Sequence, residues 1–495
     1  MKKLSLYLIV ALALLSGACS VSTPEHYTDC PETACIYPDY TDVTVPRNMA
    51  PLHFHIENEG DAFVTTLACG NTQLCFAQTE VCPTPKQWNK LLAEGNEIQV
   101  TLYVQRQDSW LRLKTFPIHI SSDSIDPYIA YRLIAPSYVT YEDLTICQRN
   151  LENYDEEVIY GNMKGSVESS GHCINCHAFQ NYNPKRMQFH VRQGHGGTVV
   201  SYDGMTEKVN LKTDSIISAG VYPAWHPTEK LIAYSTNNTN QAFHTYDLQK
   251  VEVQDTYSDL ILYDVEKRQV IPLTNDSSQL DCFPWWSPDG KYLYYCSAEY
   301  HQTDSSVNRQ MDMIRHPEQL HYNLYRRTYD PTLRNVREPE LVYDAAALGK
   351  SATLPRISPD GQWLMFTLAT YGVFHIWHTD ADLYLMNLKT REVRCMSELN
   401  SDQVESYHSW SSNGQWVIFS SRRDDGNFTR PFLAHIDAQG RGSKPFELPT
   451  DNPLYHRELL RSYNVPEFIT GPVTVTPQEF AHVIQEEARL ATQRP

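Results

Sequence analysis

Trp286-Ser287-Pro288-Asp289-Gly290-Lys291-Tyr292-Leu293-Tyr294-Tyr295-Cys296-Ser297 reads as a strand end, a tight turn and a second strand. Pro288 presets the first turn angle, Asp289 suits the second, and Gly290 takes the positive φ that follows. The unit recurs as Ile357-Ser358-Pro359-Asp360-Gly361-Gln362-Trp363-Leu364-Met365-Phe366 and as Trp410-Ser411-Ser412-Asn413-Gly414-Gln415-Trp416-Val417-Ile418-Phe419. A fourth copy, Trp225-His226-Pro227-Thr228-Glu229-Lys230-Leu231-Ile232-Ala233-Tyr234, lacks the Gly. Each hairpin is followed by another strand pair, such as 260–264 with 269–273 and 383–387 with 393–396. Four strands per unit, repeating roughly every fifty to seventy residues, predict β-propeller blades.

The repeat resembles the TolB-type, WD40-like propeller repeat, whose core is the strand–Ser-Pro-Asp-Gly–strand hairpin. The resemblance covers 187–475 and implies about six blades. Four copies are plain, and 197–211 reads as an incomplete first blade. The fold class expected is mainly β. A β-sandwich-like domain over 43–122 is read from period-two runs such as 97–104 and 115–120. A short segment over 123–186 follows, then the propeller, then a C-terminal helix over 476–495. In the 123–186 segment, 144–151 reads as a helix. Thr476-Pro477-Gln478-Glu479 matches a capping box with Pro at the first helical position.

Cys173-Ile174-Asn175-Cys176-His177 carries the chemistry. The C-x-x-C-H spacing lets two thiols add to the vinyl groups of one porphyrin while the His reaches the iron. The rival readings are a redox dithiol, disfavoured because no βαβ pattern surrounds it, and a disulfide. In the haem c reading Cys173 and Cys176 form thioethers and His177 is the proximal iron ligand. Met187 or His190 is the candidate sixth ligand; alternation along Met187-Gln188-Phe189-His190 lets only one of them face the iron. The motif precedes the strand at 187–192 by about ten residues, a reach of at most ~36 Å, so the haem is expected to pack against the propeller.

Residues 1–18 have a charged start, an apolar run and small residues before Cys19, the pattern of a secretory signal. Leu15-Ser16-Gly17-Ala18-Cys19 resembles the bacterial lipobox, which implies lipidation at Cys19 and a tether over 19–42. The order of β-domain, C-x-x-C-H and propeller is similar to exported lipoproteins of the Bacteroidota type. That resemblance, with Ser20 after Cys19, implies an outer-membrane lipoprotein facing the periplasm, held at the membrane by its N-terminal lipid.

The chain has 41 Lys and Arg against 59 Asp and Glu, a net charge of −18. Such a surface excludes nucleic acid as a partner and suits docking onto a basic protein. Of 12 cysteines, Cys30 with Cys35 and two of Cys69, Cys75 and Cys82 are disulfide candidates. Cys282 is expected opposite Cys296, as a disulfide or as two buried thiols. His375, His378, Asp380 and Asp382 share one loop that would hold a metal or line the propeller mouth. No Gly-x-Ser-x-Gly or His-Glu-x-x-His occurs, and no catalytic residue is assigned. The expectation is electron transfer to or from a protein partner docked on the propeller. The alternative is a binding scaffold for protein, peptide or glycan with a structural or sensory haem.

Overall fold

The computed structural model describes residues 21–135, 143–164, 172–243, 249 and 251–494, which form two compact units. In the smaller unit Glu97–Arg106 is the spine of a sheet, its residues alternating between buried and exposed along the first half. Ala62–Cys69 pairs along one edge of it, and Ser109–Lys114 and Phe116–Ser121 share the other. Thr28–Thr33 adds parallel to Ser109–Lys114, so part of the expected tether is strand. A second sheet holds Ile36–Tyr37, Phe54–Ile56 and Glu80–Val81. Helix Pro85–Glu94 starts at a Thr84 capping box with Gln87 and buries Trp88, Leu91 and Leu92.

The larger unit is a β-propeller of six four-stranded blades among the described residues. Blade 1 runs from its inner strand His172–Gln180 through Asn183–Gln193 and Gly197–Tyr202 to Met205–Asn210. Blade 2 is Val221–Trp225, Leu231–Phe243, Val251–Asp264 and Gln269–Pro272. Blade 3 is Gln279–Trp286, Tyr292–Glu299, Asn323–Asp330 and Asn335–Tyr343. Blade 4 is Ser351–Ile357, Trp363–Ala369, Asp382–Asn387 and Val393–Cys395. Blade 5 is Glu405–Trp410, Trp416–Ser421, Arg430–His435 and Phe446–Glu447. Blade 6 closes the ring from both sides of the sequence. Ser462–Ile469 is its inner strand, and Tyr128–Ile134, Thr145–Asn150 and Glu156–Gly161 are its outer three.

A residue with φ near +50° recurs once in each inner strand: Cys176, Tyr222, Phe283, Leu354, Tyr407 and Val465. At each one the ladder slips, two residues of the inner strand facing one of its neighbour. This is a β-bulge. The following residue is Pro in four blades, Pro223, Pro284, Pro355 and Pro466, which have no N–H to leave unpaired. In the other two it is His177 and His408. Three positions after the bulge residue comes an indole in three blades, and each donates its Nε1–H across to the preceding blade. Trp225 reaches the Ala178 carbonyl at 3.3 Å, Trp286 that of Ala224 at 3.1 Å, and Trp410 that of Arg356 at 3.2 Å.

Several expectations are corrected here. The segment 123–186 is not a separate insert: 128–161 supplies the outer strands of blade 6, and 172–180 the inner strand of blade 1. Residues 144–151 are not helical; Ile146 and Cys147 bury themselves in an antiparallel ladder. Blade 1 is complete, and the propeller starts at Tyr128 in place of 187. The C-terminal helix is shorter, Pro477–Gln485, with the expected Thr476 capping box. Its apolar face, Phe480 and Ile484, packs on Tyr160 and Phe189; beyond Ile484 the chain offers no further apolar stripe. Arg489–Leu490 and Thr492–Gln493 instead add parallel to the outer strands of blades 1 and 2. Cys282 does face Cys296, both as buried thiols. Cys30, Cys75, Cys82, Cys147, Cys173, Cys176, Cys282, Cys296 and Cys395 are free thiols, so the expected pairings of Cys30 with Cys35 and within Cys69, Cys75 and Cys82 do not form, and Cys19 lies outside the described residues.

Trp286→Phe keeps the packing and removes the donor to the Ala224 carbonyl. Urea unfolding should show a loss of about 1–2 kcal/mol with an unchanged m-value. No change in midpoint would mean the indole bond contributes nothing to blade docking.

Candidate functional site

The inner strands leave a cavity of about 850 Å³, walled by the bulge dipeptides and the loops beside them. Cys176 and His177 from blade 1, Tyr222 and Pro223, Phe283 and Pro284, Tyr407 and His408, and Val465 and Pro466 all line it. The extra residue of a bulge bends its strand and re-aims the side chains beside it, so five of the six bulge dipeptides line one cavity, and in blade 4 the next residue, Arg356, does. Part of the wall is aromatic: the Tyr222 ring lies 4.4 Å from Phe283 and 6.0 Å from Phe374, centroid to centroid.

The C-x-x-C-H motif thus sits in a strand, as the blade 1 copy of the repeated bulge. The Cys176 carbonyl accepts a hydrogen bond from the Gln188 side chain, whose oxygen in turn accepts from the Tyr234 hydroxyl at 3.3 Å. His177 is buried, and its ring nitrogens meet no side-chain partner, only the backbone of Val465 and Ala130. Burial, with the Arg132 charge adding to it and the backbone of Val465 and Ala130 opposing it, pushes its pKa down to about 3. The imidazole is therefore neutral and available through a lone pair, as an iron ligand must be.

The remaining motif residues are placed differently. Cys173 is not among the cavity-lining residues; it packs against the core that contains Tyr160 and Phe189. Its sulfur lies 3.1 Å from Asn175 Nδ2. Three residues of strand separate the two cysteines by about 10 Å along the chain, against about 4.5 Å on a helix. Of the three residues that a covalent haem would use, Cys176 and His177 line the cavity, while Cys173 stands off it. Neither Met187 nor His190 lines the cavity. Met187 is fully buried in the same core as Phe189, and His190 Nδ1 meets Thr198 Oγ1 at 3.2 Å. Both belong to the second strand of blade 1, one step out from the cavity wall.

His408 occupies the same bulge position as His177, in blade 5. Its Nε2 donates to the Met365 carbonyl at 3.0 Å, and burial, helped by Arg356, pushes its pKa down to about 3. Sequence reading overlooked it, although Tyr407-His408 aligns with Tyr222-Pro223, Phe283-Pro284 and Leu354-Pro355 at a fixed distance before each turn. The loop His375, His378, Asp380, Asp382 does not converge on one point. His375 Nδ1 meets Thr353 and Thr367, His378 faces Glu252 at 3.6 Å, and Asp380 accepts from Thr370. No group of metal-holding side chains is found among the described residues.

No protein-family model matches the chain, and no curated protein matches it. Among solved structures, apo prolyl oligopeptidase B from Galerina marginata is similar at 11% identity and a TM-score of 0.36, over 70% of this chain and 41% of its own. A puromycin-hydrolyzing peptidase of Mycobacterium tuberculosis is similar at 11% identity and a TM-score of 0.34, over 72% and 52%. An oligogalacturonate lyase in complex with manganese is similar at 10% identity and a TM-score of 0.27, over 86% and 100%. The chain spans about two fifths of the oligopeptidase's length. None of these likenesses carries an activity to this chain.

His177, His190 and His408 all have pKa values pushed to about 3, below the ordinary value near 6.5. As pH falls from about 6.5 toward 3, the unfolded chain takes up protons that the folded chain refuses, so stability falls with pH. His408→Gln, which keeps a donor for the Met365 carbonyl, should lose stability less steeply over that range. Urea midpoints at pH 7 and pH 4.5 measure this; parallel losses in both proteins would show that His408 is not a buried neutral base.

Proposed function

We propose that the cavity houses a haem c and that the protein passes electrons to or from a docked protein partner. The observation that carries this reading is His177: a buried imidazole with no side-chain partner, in the wall of a cavity beside Cys176. Attachment adds a thiol across a porphyrin vinyl group, and the bound group would supply one-electron redox chemistry. The chain's own contribution is to hold the His177 ring at fixed depth through the bulge, with the Gln188 bond fixing the Cys176 carbonyl. The aromatic wall excludes water from the site and lowers the local dielectric. Met187 and His190 do not line the cavity, so His177 would hold the group's iron and His408, the other histidine in the wall, would be the nearest candidate for a second ligand.

The acidic surface supports a basic protein partner in place of nucleic acid. The same reading puts the chain at the outer membrane on the periplasmic side, held by a lipid on Cys19. Metabolic labelling with a radioactive fatty acid should mark the wild-type chain and not Cys19→Ala; equal labelling would refute the lipid.

Expressed in the periplasm together with haem-attachment machinery, the protein should keep its haem through denaturing electrophoresis. The Cys173→Ser, Cys176→Ser double variant should lose it, and His177→Ala should shift the Soret band of whatever haem remains. Colourless wild-type protein under those conditions sinks the reading.

A further inference from the structure

This acidic chain has built a cationic cavity. Arg132, Arg192, Arg356 and Arg422 line it, and Glu467 is the one carboxyl among its described lining residues. Burial pushes Glu467 up to about 8, which favours its protonated, neutral form at neutral pH. Arg356 projects from the inner strand of blade 4, its guanidinium 4.1 Å from the Trp285 ring centroid. Its one side-chain hydrogen bond among the described residues runs to the adjacent Pro355 carbonyl at 2.9 Å. Desolvation outweighs the pull of Glu467 and pushes its pKa down to about 10. Arg132 is held by two neutral amides, Asn175 and Asn464. Arg422 stacks on Trp377 at 4.2 Å.

A desolvated guanidinium without a carboxylate is costly. Its planar fork, pre-aimed by stacking on an indole, suits a carboxylate or phosphate. The other half of the wall, Tyr222, Phe283 and Phe374, offers flat apolar area. We infer that the cavity binds a flat, largely apolar ligand bearing carboxylates, with Arg356 and Arg132 holding the carboxylates and the aromatic wall holding the face. The chemical class that unites these features at about 850 Å³ is a tetrapyrrole dicarboxylate. For that identity the inference rests on the haem reading; the carboxylate site itself is drawn from the arginines alone.

The full chain, produced without haem-attachment machinery, is titrated with metal-free protoporphyrin IX and separately with its dimethyl ester. Quenching of tryptophan fluorescence reports binding, since Trp285 and Trp377 are in the wall. The absence of iron removes any bond to His177 from the comparison. The diacid should bind saturably and the ester at least about tenfold more weakly. Arg356→Gln should weaken the diacid by about tenfold and leave the ester unchanged, and Arg356→Lys should recover part of the loss. Equal binding of acid and ester by the wild-type chain overturns the inference, whether or not the Arg356 variants fold. So does the absence of saturable binding, or an equal loss for both ligands in Arg356→Gln. Ester discrimination in a protein that never acquires covalent haem would remove the haem reading and leave the carboxylate site standing.

Discussion

A bulge repeated once per inner strand is the constraint on which the propeller depends. A non-glycine residue at φ near +50° costs about 1–2 kcal/mol, and six of them are held in this ring. The bulge turns its strand so that in five blades the dipeptide lines the central cavity, while in three an indole beyond it docks on the preceding blade. Proline after the bulge residue removes an N–H that the slipped ladder would strand. Where histidine replaces proline, in blades 1 and 5, the ring is buried and kept neutral. The same local device sets blade docking and the composition of the cavity wall.

Closure is the second constraint, and it explains why the sequence on either side of the repeats belongs to the propeller. An open ring would leave the inner strand of blade 6 and the outer strands near Tyr128 with unpaired edges. Pairing Ser462–Ile469 with Tyr128–Ile134 joins residues more than three hundred positions apart and removes both edges. Arg489–Leu490 and Thr492–Gln493 extend the outer edges of blades 1 and 2 in the same way. Residues of the 123–186 segment thus belong to blades 6 and 1 of the ring.

Electrostatics then divide the molecule. The surface is acidic overall, while the cavity gathers arginines and neutral histidines. Low local dielectric strengthens every interaction there and penalises each unmatched charge. The lowered His177 and His408, the raised Glu467 and the lowered Arg356 all have burial as their main cause. A site so arranged favours a ligand that brings negative charge and flat apolar area together.

Turn chemistry made the blades legible. Ser287-Pro288-Asp289-Gly290 fixes its hairpin locally: Ser287 Oγ accepts from the Tyr292 amide at 2.9 Å, and Gly290 takes φ +70°. Ser358 and Ser411 accept in the same way from Trp363 and Trp416 at 3.0 Å. The capping box at Thr476 and the Cys282–Cys296 register were equally readable, because each is set by residues close together in the chain. Blades 1 and 6 were not. Their turns, Gln180-Asn181-Tyr182-Asn183 in the first, lack the Ser-Pro-Asp-Gly signal, and blade 6 is assembled from distant strands. The bulge copies Cys176-His177 and Val465-Pro466 align with the others, but only the ladder slips reveal what the alignment means. The sequence by itself determined the four-stranded repeat and the candidate residues Cys176 and His177, since turns and spacing are local properties of the chain. Only the tertiary structure decided that those residues face a shared cavity, that Met187 and His190 do not, and that Arg132 and Arg356 meet there. Strand parity at a bulge and the ring's closure are settled by pairing between strands, which no local pattern encodes.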